Sequence, residues 1–228
     1  MRSGTHPCFL PAPYGRLRHS RGEQLTRHCH AQPFAAIVLS GRYQEAGDRG
    51  RHDVVPGDVL IHSAFESHLN RFGALGAEVL LIPAPVTNSA ALARLSDPDR
   101  LAIVAEHDPL EAAALLMEEL RPAPLAQQDW PDLLAALLSD KPNLSLGDWA
   151  RSMNLRPETV SRGFKAAYGV TPAGYRATAR ARAAFVSIQR KHLSLAEIAS
   201  DIGFADQAHM TRAVAQLTGH APGHWRRL

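Results

Sequence analysis

The sequence predicts two domains of different class: an all-β N-terminal half of short antiparallel strands and an all-α C-terminal half carrying two helix-turn-helix units. Three observations lead there. Within residues 14–82, apolar runs such as Phe34 to Leu39, Asp53 to Ile61 and Glu78 to Ile82 are separated by Gly, Pro and Asp turns. After residue 140 the apolar spacing changes to the three and four of amphipathic helices. That second half also repeats itself, with a period of about 50 residues.

At 228 residues the chain is long enough to bury a core in each half. Its 45% hydrophobic and 21% charged residues suit a water-soluble protein, and no apolar run reaches bilayer-spanning length, so no membrane partner is expected. Met1 to Leu10 carries Pro and His where an export signal needs an unbroken apolar stretch, which makes the cytoplasm the expected location. In that reducing compartment Cys8 and Cys29, at unrelated spacing, make neither a disulfide framework nor a cysteine zinc site. The net charge of +3 conceals an asymmetry: residues 1–140 hold 12 basic and 17 acidic side chains, and residues 141–228 hold 13 basic and 5 acidic. Nucleic acid responds to local basic surface, so the second half is the candidate for binding it.

The first half reads as a small antiparallel barrel or sandwich. The turn Pro56-Gly57-Asp58 precedes Val59-Leu60-Ile61, and His68 follows ten residues after Asp58; upstream stands His28-Cys29-His30, followed by Gly41. Alternate residues of a strand share a face, so His28 and His30 are expected to look inward together, His68 to join them, and Cys29 to pack on the other side. Three imidazoles can hold zinc, nickel or iron, or line a pocket for an organic effector. In the cupin barrels, which these motifs resemble, a Glu follows the paired histidines within a few residues; the window Ala31 to Ala35 contains no carboxylate, so the resemblance does not extend to a two-histidine, one-carboxylate iron site. His52 and His62 are assigned no role, and Arg42 and Tyr43 face either a ligand or a surface. These two motifs resemble those of the cupin barrels, which implies a cupin-like effector or sensing domain over residues 1–85.

Residues 86–124 carry helical patterning at Leu92 and Leu95, Leu101 and Val104, then Leu110, Leu115, Met117 and Leu120, with Asp97-Pro98 and Asp108-Pro109 opening helices. Two or three short helices are expected, packed on the barrel or pairing two chains. Arg121 to Pro124 is the candidate linker. Trp130 to Leu138 is the expected first helix of a domain over residues 125–228.

In the repeat, Ser161-Arg162 recurs as Thr211-Arg212, Gly169 as Gly219, Pro172 as Pro222, and Tyr175-Arg176 as Trp225-Arg226, each 50 residues on. Leu146, Trp149 and Ala150 match Leu195, Ile198 and Ala199 at an offset of 49. The units fall at about 145–168 and 194–218. In the second, Leu195, Ile198, Ala199 and Ile202 form one face, Gly203 permits the turn, and Met210, Val214 and Leu217 form the next face. The small Ala150 and Ala199 let paired helices cross closely. Gly169 and Gly219 are expected to end the second helices in the left-handed conformation, with Pro172 and Pro222 opening the next. The second helix of such a unit enters the major groove. Its solvent face here offers Glu158, Ser161, Arg162 and Lys165 in the first copy, and Gln207, His209 and Arg212 in the second. Arg162 and Arg212 suit guanine edges or phosphates, and Lys165 a phosphate.

The stretch Ile198-Ala199 through Gly203-Phe204, with Arg212, Gly219, Pro222 and Trp225-Arg226, resembles the AraC/XylS transcription regulators of bacteria, over about residues 128–228. The resemblance implies a long helix, Ala173 to about Lys191, joining the two motifs on one asymmetric site of double-stranded DNA, with a cupin sensing domain ahead of them. It further implies a small-molecule effector, with RNA polymerase and a second copy of the chain as candidate partners. This chain has Met210 and Val214 where the family has aromatics, and Asn154 where it has Gly; Met and Val still fill a core, and Asn tolerates a left-handed backbone. The expected function is a ligand-responsive transcription regulator, activator or repressor, without catalysis. Two alternatives stay open: a metal-sensing regulator using His28, His30 and His68, and a metal-dependent cupin enzyme with a DNA-binding tail.

Overall fold

The computed structural model describes residues 14–84, 91–123, 129–141, 144–190 and 192–227. Cys8, Pro124, Lys191 and the Met1–Leu10 window lie outside the described residues. The chain divides into two compact units, one within residues 1–127 and one within 128–228. Among the described residues no helix is long and apolar enough to cross a membrane.

The first unit is an antiparallel sheet of eight strands: β1 (Gly15–His19), β2 (Gln24–His28), β3 (Phe34–Gly47), β4 (Gly50–Val54), β5 (Asp58–His62), β6 (His68–Pro83), β7 (Leu92–Arg94) and β8 (Arg121–Pro122). Its spine is the pairing of β3 with β6, from Phe34 opposite Pro83 to Gly47 opposite His68, with register shifts after Val38 and Gly41. Gly41 has φ of 75°, and a Cβ there would fall 2.1 Å from the Gly76 carbonyl oxygen, so the bulge requires glycine. β1 and β2 both pair with β6, β4 and β5 with β3, β7 with β5 and β8 with β7.

The sheet is open, not the closed barrel expected: among the described residues β1 and β8 are the two ends of the strand order, and no ladder joins them. Both of its faces nonetheless carry buried side chains. Ala35, Ile37, Val59, Ile61, Leu80 and Ile82 pack under the helices α1 (Pro98–His107) and α2 (Pro109–Glu119), through Leu101, Ala102, Ala112 and Leu116. The alternate positions, Phe34, Ala36, Val38, Val79 and Leu81 among them, form a second core on the opposite face. Asp97 and Asp108 cap the two helices with Pro98 and Pro109 at their starts, as expected.

Two expectations for this region fail. Leu92 and Leu95 are not helical: Leu92 to Arg94 form β7, whose backbone is satisfied by β5, with Leu92 and Ala93 buried. Their three-residue separation imitates a helical face in so short a segment. Arg121 and Pro122 are not a free linker either, because they pair with Arg94 and Ala93.

The second unit comprises α3 (Trp130–Asp140), α4 (Leu146–Ser152), α5 (Pro157–Tyr168), α6 (Pro172–Gln189), α7 (Leu195–Ile202), α8 (Gln207–Thr218) and the short α9 (Pro222–Trp225). Around α5, Phe164 stacks on Tyr168 with centroids 4.8 Å apart, and Tyr175 of α6 meets both rings edge-on. The Tyr168 hydroxyl donates to the buried Asp132 carboxylate at 2.7 Å, so the ring cluster keeps its polar atom satisfied. Around α8, Met210 and Val214 pack with Ile198, Ala199 and Phe204 against Ala184 and Ile188 of α6. Trp225 closes this end by donating its Nε1 hydrogen to Thr218 Oγ1 at 2.9 Å.

Candidate nucleic-acid interface and histidine cavity

The two helix pairs of the second unit are built by the same local device. Asn154 follows α4 at φ 54° and Gly203 follows α7 at φ 82°. Each left-handed residue turns the next amide back onto the small residue of the first helix: Leu155 N–H donates to Ala150 O, and Phe204 N–H to Ala199 O, both at 2.9 Å. Ala150 and Ala199 are themselves buried where the helices meet. The second helices also end alike, on Gly169 at φ 71° and Gly219 at φ 76°. Pro172 and Pro222 then open the helices that follow.

On α5 the side chains Glu158, Ser161, Arg162 and Lys165 are exposed, over the buried Val160, Phe164 and Ala167. On α8, Gln207, His209 and Arg212 are exposed, over Met210, Val214 and Leu217. The two starts differ. Asp206 caps α8 by accepting the His209 amide hydrogen at 2.6 Å, whereas Arg156 at the same place before α5 makes no side-chain cap. His209 also rests edge-on against Phe204 at 5.2 Å, which limits its ring to fewer orientations than an unsupported side chain has.

The family model described as a helix-turn-helix domain matches residues 149–228. This segment is a helix-turn-helix domain. The AraC/XylS resemblance falls on the same segment. No curated protein matches the chain significantly. Among solved structures, the chain is similar to the C-terminal domain of AraT, a response regulator from Geobacillus stearothermophilus, at 22% identity and TM-score 0.40, covering 42% of this chain and 83% of that one. It is similar to an AraC-type transcriptional regulator from Chromobacterium violaceum at 22% identity and TM-score 0.39, covering 41% and 86%. ToxT from Vibrio cholerae aligns over 93% of this chain and 96% of its own, at 10% identity and TM-score 0.45. A helix-turn-helix domain is a module for double-stranded DNA.

The first unit holds a different kind of site. His28 ends β2 opposite His68, the first residue of β6, and His62 ends β5 opposite Phe34. The strand carrying His28 stops there, so His30 reaches the same place from just beyond it, not from the same strand as expected. The three predicted histidines do converge: one ring nitrogen from each of His28, His30 and His68 lies within 4.8 Å of the others. Cys29 is fully buried and does not line the cavity they face. That cavity has a volume of about 350 Å³. It is lined by His19, His28, His30, His62 and His68 together with apolar side chains including Leu25, Phe72, Val79 and Leu81.

Two residues that the sequence left without a role belong to it. His62 packs against His68 with ring centroids 4.5 Å apart, and its Nε2 lies 3.5 Å from Glu45 Oε1. Glu45 is held from the other side by Asn70, whose Nδ2 donates to Oε2 at 3.1 Å across the β3–β6 ladder. Glu45 is thus brought to the cavity by the sheet pairing, although it does not join the convergent nitrogens of His28, His30 and His68. Tyr43, two residues before Glu45, also lines the cavity, while Arg42 points out to solvent. His52 is buried beside this region but does not line the cavity.

Burial holds His68 well below the ordinary histidine range, and the neighbouring His62, His28 and His30 act in the same direction. Burial also lowers His28, partly offset by its bond to the Thr26 carbonyl. That carbonyl can only accept, so His28 Nδ1, 2.7 Å away, carries the hydrogen and Nε2 keeps its lone pair. Burial pushes His62 down too, but the nearby carboxylate of Glu45, with Glu66 beyond, outweighs it and leaves His62 raised.

Proposed function

We propose that the chain is an AraC/XylS-type transcription regulator of the bacterial cytoplasm, which binds specific DNA through α5 and α8 and responds to a small-molecule effector in the cavity of its cupin-like first unit. The observation that carries this reading is the repeated pair of helices, each presenting polar and basic side chains outward from a left-handed turn. Arg162 and Arg212 hold bases or phosphates, Glu158, Ser161, Gln207 and His209 reach base edges, and Lys165 neutralises a phosphate. α6 joins the two motifs and sets the spacing of their grooves. Activation or repression then follows from effector-dependent freedom of the DNA-binding half, with RNA polymerase or a second copy of the chain as partners.

A gel-shift titration of the full chain against DNA flanking its own gene, at several salt concentrations and with unrelated DNA as competitor, tests this reading. Competitor-resistant binding supports it. Equal binding to unrelated DNA, by both the full chain and residues 125–228, rejects it.

A second reading has its own observation. The convergent nitrogens of His28, His30 and His68 suit zinc, nickel or iron, which makes metal an alternative input to the same regulator. Elemental analysis of the purified protein separates the two inputs, and stoichiometric metal lost in His28→Ala favours the second.

A further inference from the structure

We propose that the cavity of the first unit selects an uncharged ligand with an apolar body and a hydrogen-bond-donating head, such as an alcohol or phenol, and rejects carboxylates and phosphates. This rests on the effector reading above and adds the ligand's chemical class to it.

The size is that of a small organic molecule: about 350 Å³ lies at the lower end of the range for ligand pockets, roughly 300–1,000 Å³. The wall supplied by Leu17, Leu25, Phe34, Phe72, Val79 and Leu81 is apolar and calls for an apolar body. The polar groups that line the cavity include prominent acceptors. Glu45 brings two carboxylate oxygens, one facing His62 and one accepting from Asn70. His28 keeps Nε2 for the cavity, because its Nδ1 hydrogen is committed to Thr26. A ligand hydroxyl supplies the hydrogen that His28 Nε2 and the Glu45 carboxylate can accept.

Charge decides against anions. Among the described residues lining the cavity, no Lys or Arg is present, and Glu45 is the one carboxylate. The charge of His62 is already offset by Glu45, whose Oε1 lies 3.5 Å from its Nε2, so a ligand carboxylate placed here meets Glu45 with no further cation to hold it, in a setting where like charges repel more strongly than in water.

The test is calorimetric titration of the metal-free full chain with 4-methylbenzyl alcohol and 4-methylbenzoate, which share one carbon skeleton. The alcohol is expected to bind at least about tenfold more tightly, as one like charge in a partly desolvated site requires. Glu45→Gln keeps the shape and removes the charge, and should narrow that ratio by admitting the benzoate. The ratio in the unmodified protein stands as a test even if the variant misfolds. Equal affinities, or tighter binding of the benzoate, overturn the proposed class and leave the effector reading intact. Alcohol binding that appears only after zinc is added overturns it in favour of a metal centre. Binding of neither probe, with or without zinc, overturns the ligand class and the effector reading together, while DNA binding by α5 and α8 stands on its own titration.

Discussion

The two units place their polar chemistry on opposite sides of their own surfaces. In the first, His30, Glu45, His62, His68 and Asn70 are buried, facing a cavity lined also by apolar side chains. In the second, the polar side chains of α5 and α8 point to solvent, and the interior is mainly aromatic and aliphatic, with the buried Asp132 and Thr218 committed to Tyr168 and Trp225. The consequence concerns what can be changed independently. An interior site is part of the core, so altering its chemistry alters stability; an exterior face can be rewritten residue by residue.

The sharpest way to break that contrast is from inside the second unit. Phe164→Ala, at a fully buried ring, should lower stability by about 3–5 kcal/mol in chemical denaturation, whereas Leu75→Ala, at a side chain 88% exposed, should change it by less than about 0.5 kcal/mol. Next in size, Arg162→Ala and Arg212→Ala should each weaken specific DNA binding by about 1–3 kcal/mol while the denaturation midpoint stays put. Loss of stability in either variant would show that the exterior face is not separable from the fold.

The interior site should reveal itself through pH. His68 is held below its ordinary 6.5, so the unfolded chain gains a proton that the folded chain refuses, and this contribution is full above pH 6.5 and lost as pH falls. His62 is raised, so its contribution is full below pH 6.5 and lost as pH rises through its folded value. Between about pH 7.5 and 5.5 the thermal midpoint should therefore fall less in His68→Gln, and more in His62→Gln, than in the unmodified chain. The smallest effect belongs to a turn: Asn154→Gly should raise stability by up to about 1 kcal/mol, since Asn154 holds φ 54° and glycine does so without steric cost.

The same contrast explains what could be read from the amino acids beforehand. The helix pairs were legible because their determinants are local: Ala150, Asn154 and Gly169 lie within one supersecondary unit and recur in register as Ala199, Gly203 and Gly219. His28, His30 and His68 were legible because they resemble a known spacing. Glu45 and His62 were not. Glu45 reaches the cavity because β3 pairs with β6 in a register that sets it opposite Asn70, 25 residues away, and no local pattern encodes that register. The missing closure of the barrel was equally hidden, since it depends on which strands end at an edge.

On α5, Gly163 stands between Arg162 and Phe164, against the ring of Trp130 from α3: a Cβ at this position would fall 2.5 Å from Trp130 Cζ2 and 2.7 Å from Cη2. For the operator contact proposed for this helix, positions 158, 161, 162 and 165 can be randomised, but codon 163 must stay fixed. A library that varies it would discard most clones for a lost seat beneath α3, and a selection would report as base preference what is in truth a packing filter.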